Sequence, residues 1–205
     1  MNELKISLDD FSFIERESNK AGKVKTNRCL RDFLYYTLHF YYPKKFNNKE
    51  LNAEKIEEQR LFGFKIKEGF SFGGGQYSKI VPFLNKNNLF LEINNKKITN
   101  LRDFIVAFFF KNFSYKKLII FINENMESNT PVGIDVPIGF VMDYVMFVYK
   151  IDDKGIYLID SHKATKVPYV GISNKSNRFV MFMDFMEVKR IWNWRGLVWV
   201  VKKHS

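Results

Sequence analysis

The stretch from Phe140 to His162 constrains the fold more than any other. Two apolar runs, Phe140 to Ile151 and Ile156 to Asp160, flank Asp152-Asp153-Lys154-Gly155. Acidic residues and a glycine between two strand-like runs predict a hairpin, and hence an antiparallel sheet. The second run continues Leu158-Ile159-Asp160-Ser161-His162. On a strand, residues i and i+2 lie on the same side. Asp160 and His162 are therefore expected to present a carboxylate and an imidazole to one surface. A nucleophile would complete a catalytic set, and the chain has a single cysteine, Cys29.

The bulk properties bound what surrounds this stretch. At 205 residues the chain is long enough for one domain with a substantial core. Residues 1–205 are expected to form a single domain, with 1–25 an extended lead-in. Hydrophobic residues make up 46% and Phe alone occurs 22 times, yet no apolar run reaches the ~18–20 residues of a membrane span. Met1-Asn2-Glu3-Leu4-Lys5 does not read as a secretory signal. A lone cysteine forms no internal disulfide, so a reducing, cytoplasmic setting is expected. The formal charge of +11 raises nucleic-acid binding. The lysine pairs Lys44-Lys45, Lys96-Lys97, Lys116-Lys117 and Lys202-Lys203 are scattered, and only Arg178, Arg190 and Arg195 fall near aromatics late in the chain. No nucleic-acid-binding signature accompanies them, so a solvated basic surface is the stronger expectation.

Taken in order, residues 18–25 read as a loop. Thr26 or Asn27 caps a helix that Pro43 terminates. Apolar residues at 30, 33, 34, 37, 38 and 41 follow helical spacing. Cys29 thus falls in the first turn, where free N–H groups and the helix dipole favour a thiolate and can hold an oxyanion. A free cysteine is also commonly a small buried core residue. A polar helix is expected from Asn47 to Arg60, then a loop to Gly73-Gly74-Gly75, which lacks a phosphate-loop pattern. A short helix follows over Gln76 to Asn88. Asn94-Asn95 turns between two strands, Leu89 to Ile93 and Lys97-Ile98. A helix capped by Thr99 or Asn100 runs through Phe113. Lys117 to Ile122 reads as a central strand and Glu124 to Gly139 as a long acidic loop. Beyond the hairpin, Lys163 to Asn177 reads as a loop and Phe179 to Met183 as a strand. Asp184 caps a helix to Asn193, and Leu197 to Val201 closes the sheet. Helices followed by a mainly antiparallel sheet make an α+β protein, and a cysteine at a helix start with the base on a sheet is the papain-like layout.

Elimination selects the base. His39 lies ten residues from Cys29 on one helix, about 15 Å along its axis. His204 is penultimate and expected to fray. His162 remains. A zinc site is not expected, because the chain offers no three or four ligands at close spacing. An Asp-x-His at a strand end also occurs as plain surface loop.

Over Phe140 to Asp160 the chain is similar to bacteriocin-processing peptidases, but their histidine would fall near Asp143 or Tyr144, where this chain has none. On Asn27-x-Cys29 opening an apolar helix and Leu158-Ile159-Asp160-Ser161-His162 after a strand, the chain resembles the deubiquitinase domain of herpesvirus large tegument proteins and its viral-tegument-like relatives. The resemblance extends over nearly the whole chain. It implies a papain-like cysteine peptidase in which Cys29 is the nucleophile, His162 the base and Asp160 its orienting residue. It implies cleavage after the C-terminal Gly-Gly of ubiquitin, by a monomer with no cofactor, acting as a viral or bacterial effector in the host cytosol. The family's upstream Gln is missing from residues 1–28, which leaves Ser18, Asn19 or Asn27 to complete the oxyanion hole with the Cys29 N–H. Glu127, Asp135 and Asp143 are candidates to contact ubiquitin's basic tail. Gly133, Gly139 or the Gly73–Gly75 loop are candidates to line the diglycine channel, with Trp192 or Trp194 as its wall. A peptidase of other specificity, or a non-catalytic module with a basic binding surface, is the alternative.

Overall fold

The structure, a computed structural model, describes residues 1–5, 29–46, 77–109, 113–138, 142–160, 169–172, 179–194 and 196–204. Their strands form one sheet: β1 Asn2–Glu3, β2 Leu89–Ile93, β3 Lys96–Ile98, β4 Val132–Ile138, β5 Met142–Ile151, β6 Gly155–Asp160, β7 Tyr169–Ile172, β8 Phe179–Asp184 and β9 Val198–Lys203. The order across the sheet is β3-β2-β9-β4-β5-β6-β8-β7, with β1 also paired to β5. Every pairing is antiparallel. Among the described residues five helices accompany it: α1 Cys29–Tyr41, α2 Tyr77–Lys86, α3 Leu101–Phe109, α4 Tyr115–Glu127 and α5 Phe185–Trp194. The protein is therefore α+β. The expected division into helices first and sheet second is too simple, because β1, β2 and β3 precede or separate helices and join the same sheet.

Two adjacent lysines of β9 show that helices cover both faces. Lys203 Nζ lies 5.3 Å from the Tyr41 ring and 5.0 Å from the Tyr42 ring, at the end of α1. Lys202 Nζ lies 5.4 Å from the Phe121 ring in α4. Neighbouring strand residues point to opposite faces, so α1 and α4 pack on opposite sides. Phe33 and Tyr36 of α1 are buried against Phe147 of β5, with ring centroids 5.9 and 5.5 Å apart. On the far side, Leu118, Phe121, Ile122 and Met126 of α4 are buried at helical spacing.

That spacing corrects the expected strand over Lys117 to Ile122. A short apolar run fits a strand or one side of a helix equally well. Ser114 decides it: its side chain accepts a hydrogen bond from Lys117 N, capping the helix. Ile120 is 56% exposed, as a residue facing away from the sheet must be. The expected loop over Glu124 to Gly139 is also corrected. The helix runs to Glu127, and Val132–Ile138 is the strand β4 between β9 and β5. Gly133 is required there, since a Cβ would lie 2.9 Å from two ring carbons of Phe33. Pro137 is tolerated because Asp135 donates its N–H to Leu197 O on the β9 side. Position 137 shares that orientation, and β9 pairs with β4 only as far as Ile134↔Val198, so no ladder bond is lost.

The expected loop over Lys163 to Asn177 contains the edge strand β7, which pairs with β8 through an irregularity between Tyr169 and Gly171. Other expectations hold. Asn94 and Asn95, at φ 51° and 61°, turn β2 into β3. Asp152 Oδ1 accepts from Lys154 N and Gly155 N in the β5–β6 turn. Asp184 Oδ1 accepts from Glu187 N to cap α5. Pro82 lies inside α2. At the start of the lead-in, β1 pairs with β5 and Leu4 is buried. The polar helix expected over 47–60 and the triple glycine lie outside the described residues.

Candidate active site

Cys29 is the first residue of α1, the position the sequence assigned it. The course of α1 over the sheet is fixed at both ends. Its C-terminal end sits over β9, where Tyr41 Oη donates to Val201 O at 2.8 Å. Toward its start, Phe33 lies over Gly133 of β4 and Phe147 of β5. Read from Tyr41 to Phe33, the axis crosses from β9 toward β5. It also climbs from the level of Val201 to that of the Gly133↔Phe147↔Ile159 row. Cys29 is one turn further on, about 6 Å along the same line. That direction leads toward the end of β6, where Asp160 follows Ile159 and closes the strand.

Register adds a condition. Phe147 pairs with Ile159, so Ile159 takes the α1 face of the sheet. Position 160 has the parity of Leu158 and Ile156, the opposite one. A pair of residues 160 and 162 that serves Cys29 therefore requires the chain to leave strand geometry at Asp160 and cross the sheet end. His162 lies outside the described residues, as do Ser18, Asn19, Asn27 and Gly139.

The other histidines are placed as competitors that do not reach. His39 is in the last turn of α1, with Nδ1 2.7 Å from Phe46 O. His204 does not fray. Its N–H donates to Asn88 O at 3.0 Å, its Nε2 is 3.3 Å from Asn85 Oδ1, and its ring lies 5.0 Å from Phe90. Both sit at the end of the molecule away from the start of α1.

The substrate-tail candidates separate. Asp135 was expected on an exposed acidic loop, but it is a β4 residue only 6% exposed, and its Oδ1 accepts from Trp199 Nε1 at 2.7 Å. Glu127 ends α4 on the face opposite α1, with Oε1 3.2 Å from Asn2 Nδ2. Trp192 is buried on that same face, donating from Nε1 to Phe113 O at 2.8 Å and packing on the Phe113 ring at 5.9 Å. It does not wall a channel on the α1 side. Trp194 ends α5, and Asp143 pairs with Pro137 in the β4–β5 ladder. Position 143 has the parity of Val145 and Phe147, so it shares the α1 face.

The Asp135–Trp199 pair is the feature that sequence reasoning missed. It lies on the α1 face, two residues along β4 from the Gly133 that carries Phe33. Its only sequence signal was alternation, Val132-x-Ile134-x-Val136, obscured by the glycines and prolines around it. No group of three or more His, Cys, Asp or Glu side chains among the described residues could hold a metal ion. No helix among them is long and apolar enough to cross a membrane. Comparisons of the chain with protein-family models, with curated proteins and with solved structures return no match.

Proposed function

We propose that the protein is a papain-like cysteine peptidase that removes ubiquitin. Cys29 is its nucleophile, His162 the base and Asp160 the residue that orients the imidazole. The observation that carries this reading is the course of α1. It sets the backbone of the only cysteine at a helix N-terminus and directs that end toward the end of β6. In the proposed reaction His162 takes the Cys29 thiol proton as sulfur attacks the carbonyl of ubiquitin's terminal glycine. The C–N bond then breaks, and the proton passes to the departing lysine amine. Water hydrolyses the thioester with His162 as base, releasing the ubiquitin carboxylate and the free thiol. The Cys29 N–H and a side chain from residues 18–27 hold the oxyanion.

The test is a ubiquitin probe bearing a C-terminal electrophile. It is expected to form one adduct, on Cys29, and Cys29→Ala is expected to form none. An unreacted but folded protein overturns the ubiquitin reading, and peptide-library profiling then decides whether another peptidase specificity remains. The parity of position 160 favours a second reading, a non-catalytic module that keeps the fold. In that case neither ubiquitin probes nor peptide libraries are turned over.

A further inference from the structure

The fold gathers what the sequence scatters. Of the four lysine pairs, Lys44-Lys45, Lys96-Lys97 and Lys202-Lys203 come to one end of the sheet, at the close of α1 and around β2, β3 and β9. They fall on two faces that meet there: Lys203 shares the α1 face with Tyr41 and Tyr42, whereas Phe90, paired with Lys202, and Lys97, paired with Glu92, lie on the α4 face. Lys45 Nζ donates to Asn87 Oδ1 at 2.8 Å, and Tyr42 Oη donates to Asn87 O at 2.8 Å. Lys203 lies over Tyr41 and Tyr42, and Lys45 Nζ is 5.3 Å from the Phe46 ring. Around the sheet edge, Lys97 Nζ is 4.7 Å from the Phe90 ring, which also lies 5.0 Å from the His204 ring. Lys86 is exposed at the end of α2 beside them.

Residues 39–46, 85–98 and 201–204 hold seven lysines and one carboxylate. That carboxylate, Glu92, is bonded to Lys202 at 2.7 Å. This end therefore carries more than half of the chain's +11. Tyr42, Phe46 and Phe90 are half-buried, and a lysine ammonium lies over each ring. A lysine that swings onto a phosphate uncovers the ring beneath it, so this end suits a flexible strand that offers phosphates and unstacked bases together.

We propose that this end of the sheet binds single-stranded nucleic acid that wraps around it from one face to the other, with Lys44, Lys45 and Lys203 on phosphates and Tyr42 as a stacking ring on the α1 face, and Lys97 and Phe90 in those roles on the α4 face. The site is remote from the start of α1, so this proposal stands independently of the peptidase reading.

Fluorescence anisotropy with labelled single-stranded dT and rU oligomers tests it. Affinity is expected to fall steeply with salt. Reversal of Lys44, Lys45, Lys97 and Lys203 to Glu is expected to reduce the log–log salt slope by about 3. Tyr42→Leu and Phe90→Leu, which keep apolar packing, are each expected to weaken binding about tenfold. Lys154→Glu and Lys189→Glu, exposed on the hairpin and on α5, are the charge controls and are expected to change little. No binding at 50 mM salt overturns the proposal. So does an equal loss from the control reversals, which would make the effect one of net charge alone. Duplex binding as tight as single-strand binding, untouched by the two leucine variants, removes the stacking role. Labelling by the ubiquitin probe is read in the same variants, and it is expected to be unchanged whichever way the nucleic-acid result falls.

Discussion

Gly133→Ala is the substitution whose effect follows most directly from the geometry. The new Cβ would lie 2.9 Å from Cδ2 and Cε2 of Phe33 and 3.0 Å from Cγ1 of Val145. The ring cannot retreat cheaply, because Phe33 is 1% exposed and also packs on Phe147. Overpacking of this kind costs ~1–3 kcal/mol. Replacing a glycine in extended backbone returns ~0.5–1 kcal/mol. The expected net destabilisation is about 1–2 kcal/mol, read by urea unfolding, and a chain of this length loses about 2–4 °C in Tm per kcal/mol. The strain falls one turn from Cys29, so α1 should tilt and labelling of Cys29 should change with stability. Phe33→Leu relieves the clash. The double variant should therefore be more stable than the sum of the single changes by ~0.5–3 kcal/mol. An unchanged or more stable Gly133→Ala protein, or strictly additive effects, would refute the packing of α1 on β4.

Trp199→Phe removes the indole N–H that Asp135 accepts at 2.7 Å inside the protein; a loss of ~1–3 kcal/mol is expected from thermal or urea unfolding. The backbone N–H of Lys154 is the main cause that holds the Asp152 carboxyl below its ordinary value, with Lys150 and the Gly155 N–H adding to it. Its contribution is full above the ordinary value of 3.8 and is lost as pH falls through the lower folded value. Acid unfolding of Asp152→Ala should accordingly be less steep in that range. Burial pushes the phenols of Tyr41 and Tyr149 up to about 12. They should ionise last in an ultraviolet titration, and stability should decline as pH climbs from 10 toward those values.

The elements that sequence revealed were those with a local chemical signal. Asp152 and Gly155 mark the hairpin, Asn94-Asn95 the left-handed turn, Asp184 the start of α5, and Pro43 the end of α1. The failures came where tertiary contact overrides local signals. Lys117 to Ile122 is apolar enough for a strand, and only the cap at Ser114 and the far-face packing make it a helix. β4 looked like a loop because Gly133 and Pro137 are turn residues in isolation. Each has a reason visible only in three dimensions: the Phe33 ring for one, the absent β9 neighbour for the other. The misreading of β4 carried Asp135 with it, turning a buried partner of Trp199 into a supposed surface acid. Scattered lysine pairs likewise concealed one basic end, because the pairing of β2 with both β3 and β9 cannot be read from spacing. For the site, the sequence placed Cys29 at a helix start and Asp160 at a strand end, and both backbone positions hold. The parity that sets position 160 opposite α1 depends on which β5 face the helix covers, and no local pattern encodes that.

If His162 activates Cys29, the lone cysteine lets a single measurement show it. The rate of Cys29 alkylation by iodoacetamide, followed from pH 4 to pH 10 by intact mass, reports the thiolate directly. A reactive plateau is expected to begin well below the ordinary thiol value of ~8.5, with His162→Ala moving the transition back to that value. A wild-type profile with its midpoint near 8.5, unchanged by His162→Ala, would contradict it.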